Sequence, residues 1–145
     1  MKKVIVTGGN SGIGYQAAKQ LAEKDWSVTL FCRRKEAAEQ ACEKIRQQTR
    51  NPHVDYILVD LSDMKSVRKA AEQYIQKEET LDVLINNAAD FDLSVKKPIL
   101  TKDGLEKQFA TNVVAPFLLS TLLRGLLEKS ESCRIINISS QGLML

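Results

Sequence analysis

Residues 4–14 read VIVTGGNSGIG, a short run of branched apolar residues that leads directly into a cluster of glycines. Such a run is typical of a buried strand, and the glycines mark a tight turn into a helix. The same alternation of strand and helix continues along the chain. Strands are predicted at residues 4–6, 26–32, 54–59, 81–85 and 134–138, with amphipathic helices between them.

The strands are apolar along their whole length, which indicates a parallel sheet covered on both faces. Right-handed crossovers then predict an α/β, doubly wound sheet, the Rossmann fold, with strand order 3-2-1-4-5. The last helix should span residues 103–129. We expect its sheet-facing residues to be Leu105, Phe109, Val113, Leu119, Leu123 and Leu126.

Composition limits the possible functions. The chain has 145 residues, a size typical of one domain, here residues 1–145. Its net charge of +3 is too slight to indicate nucleic acid or a membrane surface as partner, and we expect no nucleic-acid partner. Three scattered cysteines and one histidine predict no metal site, and no apolar run approaches the ~20 residues of a membrane span. We expect a cytoplasmic protein whose chain is truncated after its fifth strand.

The glycine cluster has the spacing of a phosphate-binding turn. Gly8 permits the turn, Gly12 lets the backbone approach a pyrophosphate, and Gly14 lets the helix lie close to the strand. Backbone N–H groups and the helix dipole favour phosphates at this point. The alternative is an ordinary turn without a ligand, but the first strand–helix crossing favours a dinucleotide.

Basic residues follow the second predicted strand, as Cys32-Arg33-Arg34-Lys35. A carboxylate is common at this position in NAD sites, where it binds the ribose hydroxyls. A guanidinium instead suits a 2′-phosphate, so the sequence favours NADP(H). The alternative interpretation is a solvated basic start to the second helix.

Five ordered motifs resemble those of the short-chain dehydrogenase/reductase family. They are Gly8-x-x-x-Gly12-x-Gly14, Val59-Asp60-Leu61, Leu84-Ile85-Asn86-Asn87-Ala88-Ala89, Asn112, and Ile136-Asn137-Ile138-Ser139-Ser140. Ala89 replaces the glycine usual in the third motif. Cys32-Arg33, the Asn-Asn-Ala-Ala variant and residues 100–104 are similar to a branch with retinol-dehydrogenase-like, WW-domain-oxidoreductase-like and protochlorophyllide-reductase-like enzymes.

The resemblance implies roles for particular residues. Arg33, assisted by Arg34, would bind the 2′-phosphate. Asn112 would hold a water in a proton relay, and Ser140 would hydrogen-bond the substrate oxygen. The remaining cofactor contacts would be Gly8, Asn10, Ser11, Gly12, Ile13, Gly14, Asp60, Leu61, Asn87 and Ala88.

Some of these positions also allow structural interpretations. Asp60 could cap the helix that follows it, and Asn86 could simply bridge neighbouring strands. Asn112 could only bend its helix, although an amide on the sheet-facing side of an apolar helix needs hydrogen-bond partners.

The implied activity is hydride transfer between NADP(H) and a small-molecule carbonyl or alcohol. The family's proton donor is a tyrosine followed four residues later by a lysine. Tyr15 and Lys19 have that spacing, but the first helix points at the pyrophosphate, so we interpret them as a coincidence and expect residues 1–145 alone to be inactive. The alternatives are a truncated, non-catalytic nucleotide-binding module or a protochlorophyllide-reductase-like double-bond reductase. A homo-oligomer could form through residues 103–129.

Overall fold

A computed structural model describes residues 1–92 and 94–140. Its strands all run parallel in the order β3-β2-β1-β4-β5, which confirms the predicted topology. The observed bounds differ from the predicted ones by at most two residues. The strands are β1 (Lys3–Thr7), β2 (Ser27–Cys32), β3 (Val54–Leu58), β4 (Val83–Asn86) and β5 (Arg134–Asn137).

Helices cover both faces of the sheet. Alternate residues of β1 separate the two cores, since Val4 and Val6 lie in the core under the first two helices, whereas Ile5 lies in the core under the others. The helices are α1 (Gly12–Ala22), α2 (Lys35–Thr49), α3 (Met64–Lys77), α4 (Lys107–Phe109), α5 (Ala115–Leu122) and α6 (Arg124–Leu127).

The last helical segment begins later than predicted. Residues 101–105 form a turn instead, in which Thr101 N donates to Leu105 O at 2.8 Å and Gly104 has a φ of 73°. Glu106 then caps α4 through its carboxylate, which accepts from the backbone N–H groups of Gln108 and Phe109. A helix beginning at 103 would have to pass through this left-handed glycine.

The predicted sheet-facing stripe of this segment is correct only in its second half. Leu119, Leu123 and Leu126 are buried, but Phe109 and Val113 are each 51% exposed, and Leu105 is partly buried in the preceding turn. The reason is a π-helical turn at Ala110–Val114, between α4 and α5. Its wider turn breaks the 3.6-residue periodicity on which the prediction depended.

The neighbouring strands β4 and β5 differ in burial. Every residue of β4 is buried, whereas every residue of β5 is exposed. The exposed β5 residues include Ile135 and Ile136. Within the described part of the chain, no helix combines the length and the apolar character needed to cross a membrane.

Candidate functional site

The glycine loop lies at the carboxyl end of β1, between the neighbouring strands β2 and β4. Gly8 and Gly12 have φ angles of 65° and 54°, a region that glycine adopts without steric cost. Ser11 occupies the N-cap of α1 but makes no side-chain cap, and the first turn contains no acidic residue. The N–H groups of this turn therefore face a position that favours an anion.

The loop is tight on one side and open on the other. A Cβ at Gly14 would lie 2.4 Å from Asn87 Nδ2 and 2.6 Å from Gly8 O, so only glycine fits there. A Cβ at Gly12 would meet no atom within 4 Å. This open space over the start of α1 fits the pyrophosphate of a dinucleotide.

Asn87 joins the loop that follows β4 to the glycine loop. Its Nδ2 donates to Thr7 O at 3.0 Å, and its backbone N–H donates to Thr7 Oγ1 at 2.9 Å. The Ala88 N–H donates to the same hydroxyl at 3.0 Å. Sequence reasoning missed Thr7, although a hydroxyl at the end of a buried strand, directly before Gly8, was a usable signal.

A cavity of about 170 Å³ lies beside this junction, at the carboxyl ends of the strands. We call it the nucleotide cavity. Of the residues predicted to bind the cofactor, it brings together Gly8, Arg33, Asp60, Leu61 and Ala88. The other lining residues are Phe31, Cys32, Val59, Ser62, Ala89, Asp90, Lys107 and Thr111.

Asp60 does not cap α3. Asp63 does so, by accepting from the N–H groups of Lys65 and Ser66. Asp60 Oδ1 instead accepts from the backbone N–H and hydroxyl of Ser62, at 2.9 and 2.6 Å. Partial burial alone would raise the pKa of Asp60, but these hydrogen bonds and the charges of Arg33 and Lys107 hold it below its ordinary value. Asp60 is therefore an ionised acceptor at the cavity wall.

The two arginines after β2 point to different places. Arg33 lines the nucleotide cavity, whereas Arg34 lines a groove of about 730 Å³ between α1 and α2. Neither arginine takes part in an ion pair within residues 1–92 and 94–140. Three further predicted contacts, Asn10, Ser11 and Ile13, line the same groove as Arg34, together with Gly12.

Asn112 lies in the π turn and is exposed, so the prediction that it faces the sheet is wrong. It nevertheless has partners. Its Oδ1 accepts from Asp90 N at 2.8 Å, and its Nδ2 donates to Asp90 O at 2.7 Å. Lys107 Nζ lies 3.1 Å from Asp90 Oδ2. Sequence reasoning missed both Asp90 and Lys107.

Amide side chains also join the ends of β4 and β5. Asn86 Nδ2 donates to Asn137 Oδ1 at 2.9 Å, and Ile138 N donates to Asn86 O at 3.0 Å. Asn86 thus bridges the strands through its side chain as well as its backbone. Together with Asn112, the two amides line a third cavity of about 570 Å³, which we call the β5 cavity. Ser140 is exposed and lines none of these cavities.

Tyr15 makes its side-chain contacts with α2 and not with this amide cluster. Its hydroxyl donates to Gln48 Oε1 at 3.3 Å, and Lys44 Nζ lies 5.7 Å from its ring centre. Its ring packs against the core formed under α1 and α2, whereas the helical segment that carries Asn112 packs on the other face of the sheet.

The three thiols have different environments. Burial raises the pKa of Cys32 to about 11 and that of Cys42 to about 12, whereas Cys133 is exposed. Among the residues that the structure describes, no cluster of three or more His, Cys, Asp or Glu side chains could hold a metal ion.

A parallel sheet of this order, with a glycine loop at the end of β1, defines a dinucleotide-binding class of protein. The chain belongs to the short chain dehydrogenase family, which it matches over residues 2–144, and to its retinol-dehydrogenase-like branch.

Individual relatives agree with this assignment. The chain is 45% identical to mouse (Mus musculus) retinol dehydrogenase 13, over 96% of this chain and 41% of that protein. It is also 45% identical to Bos taurus dehydrogenase/reductase SDR family member 12, over 97% of this chain and 43% of that protein. The chain thus spans about two fifths of the length of these relatives.

A solved structure has the same architecture. The Pseudomonas aeruginosa RhlG/NADP active-site complex superimposes with a TM-score of 0.80 at 29% sequence identity. The match covers 96% of this chain and 54% of that one.

Proposed function

We propose that the protein is an NADP(H)-dependent oxidoreductase that transfers a hydride between the nicotinamide and a carbonyl or alcohol substrate. The observation that carries the proposal is the junction of an uncapped, glycine-lined start of α1 with a cavity that contains Arg33 and Asp60. The relative described as an NADP active-site complex supports the same cofactor. Residues 1–145 would form the cofactor-binding domain.

The cofactor contacts divide into two groups that meet at the glycine loop. Around the nucleotide cavity, Asp60 would accept a hydrogen bond from the adenine amino group, and Arg33 would bind the 2′-phosphate. Along the start of α1, backbone N–H groups would bind the pyrophosphate. Arg34 lines the groove beside them and not the nucleotide cavity, so it would not assist Arg33 at the 2′-phosphate as the resemblance implied. Asn87 would act by holding the glycine loop against the loop that follows β4, because its side-chain amide already donates a hydrogen bond to Thr7 O.

The bound nicotinamide would supply or accept a hydride, and side chains of the protein would transfer the accompanying proton. We assign Ser140 to the substrate oxygen and Asn112 to the proton relay, as the family resemblance implies. The family's tyrosine–lysine pair has no counterpart in this chain besides Tyr15 and Lys19, so residues 1–145 alone would not turn over substrate.

The names of the relatives make retinol and its aldehyde the first substrates to assay. Formation of a homo-oligomer through residues 103–129 and a cytoplasmic location are further predictions.

The test uses the full-length protein, NADPH or NADH, and a panel of aldehydes and ketones that includes retinal, with absorbance of the reduced cofactor as the measurement. We expect turnover with NADPH that depends on Ser140, so Ser140→Ala should lower kcat strongly, whereas Ser139→Ala should lower it much less. Absence of turnover with every carbonyl, or equal turnover by Ser140→Ala, would contradict the proposal.

A further inference from the structure

Asp90 is held by the last helical segment at three points. Its backbone N–H and carbonyl form the two hydrogen bonds with the Asn112 amide, and its carboxylate forms an ion pair with Lys107. Lys107 lies in α4 and Asn112 in the π turn that follows it. The ion pair and the hydrogen bonds of the Asn112 side-chain amide therefore join the same two segments of chain.

These contacts form a wall between two cavities. Asp90 and Lys107 line the nucleotide cavity, and Asn112 lines the β5 cavity. Ala88 and Ala89 line both cavities. Because Asn112 is exposed, water competes for its two hydrogen bonds with the Asp90 backbone. The Lys107–Asp90 ion pair is a further contact that limits movement of Asp90.

We propose that Asp90 and Lys107 are positioning residues, which fix the Asn112 amide through the backbone of Asp90. This inference rests on the proposed function, in which Asn112 belongs to the proton relay. The side chains of Asp90 and Lys107 are 27% and 36% exposed, so the expected effects are modest. The competing interpretation is that Lys107 contacts the cofactor directly, since it lines the same cavity as Arg33 and Asp60.

The first test measures hydrogen exchange in the full-length protein and needs no activity. Lys107→Met should make the Asp90 amide exchange about two- to fivefold faster, the range expected for a partly exposed ion pair. Lys107→Arg should keep the slower rate because it keeps the charge. Lys77→Met is the matched control, since it breaks an exposed lysine–aspartate pair, with Asp55, that lies outside both cavities. It should leave exchange at Asp90 unchanged.

The second test asks whether Lys107 acts through Asn112. In the otherwise unchanged protein, Lys107→Met should lower kcat by about two- to fivefold and leave the KM for NADPH unchanged. In an Asn112→Ala background the same substitution should lower kcat no further, because the residue that it positions is missing.

Three results would overturn the inference: unchanged exchange at Asp90 in Lys107→Met, an equal loss of kcat in the Asn112→Ala background, or a higher KM for NADPH with kcat unchanged. The last result would make Lys107 a cofactor contact. If the unsubstituted protein turns over no carbonyl, the proposed function fails, and a faster exchange at Asp90 alone would still support the positional contact.

Discussion

The glycine loop beside β1 and the region around β5 have opposite surroundings. Beside the glycine loop, every residue of β4 is buried. Hydrogen bonds between Asn87 and Thr7 join the glycine loop to the loop that follows β4. At β5 every residue is exposed, and the neighbouring Phe117 is 73% exposed. Hydrogen bonds at the buried ends of the strands therefore fix the position of the glycine loop. Several of the proposed cofactor contacts, such as Ile13 and Arg33, are themselves exposed, as are Asn112 and Ser140.

The rates at which the three cysteine thiols react should show the largest difference between the interior and the region around β5. Cys32 and Cys42 lie in the interior, and burial raises the pKa of Cys32 to about 11, so its thiolate is ~100-fold scarcer near neutral pH than that of an ordinary thiol. Cys133, next to β5, is exposed. We expect a maleimide to label Cys133 at least ~100-fold faster than the other two, as measured by mass spectrometry at pH 7.5. Comparable rates for all three would show that the interior opens.

The contact at Gly14 should have a large effect on stability. An alanine Cβ there would meet Asn87 Nδ2 and Gly8 O, so Gly14→Ala should lower the free energy of unfolding by about 2–3 kcal/mol. Gly125→Ala in α6 is the control, because its Cβ would meet no atom within 4 Å. It should be neutral or stabilise by up to about 1 kcal/mol. Urea unfolding of both variants checks the difference, and similar midpoints would refute the tight contact.

The exposed side of β5 should affect association. A polypeptide of residues 1–145 exposes Ile135 and Ile136 on an edge strand, which favours pairing with another chain. In sedimentation velocity we expect a mass of at least a dimer, and Ile135→Lys should shift it towards the monomer. Ile75→Lys, at a similarly exposed position in α3, should not. A monodisperse monomer of the unsubstituted polypeptide would contradict this expectation.

Tyr15 should give the smallest effect. Its hydroxyl bonds Gln48 and its ring packs on the face of the sheet opposite the Asn112 segment, so it cannot reach a substrate near Asn112. Tyr15→Phe in the full-length protein should leave kcat within about twofold of its original value. A loss of turnover would make α1 catalytic and reverse the assignment of the two regions.

The positions and the order of β1–β5 could be predicted from the sequence, because each strand carries a short run of apolar residues and glycines mark the first turn. The exposure of β5 could not be predicted in this way, since its apolar run resembles those of the buried strands. The last helical segment could be predicted only in part. It contains a π turn at Ala110–Val114 and follows a left-handed Gly104, and a search for a 3.6-residue pattern of apolar residues detects neither feature. The ion pair between Asp90 and Lys107 joins residues 17 positions apart and gives no periodic signal.

The most direct test of the account is the cofactor preference of the full-length protein and its Arg33→Ala variant, measured as dissociation constants for NADPH and NADH by titration calorimetry. Arg33 lines the nucleotide cavity, and a charge-assisted hydrogen bond to a phosphate contributes on the order of 1.5–3 kcal/mol. We therefore predict that Arg33→Ala weakens NADPH binding roughly ten- to a hundredfold and leaves NADH binding nearly unchanged. Equal losses for the two cofactors, or no loss for either, would contradict the account.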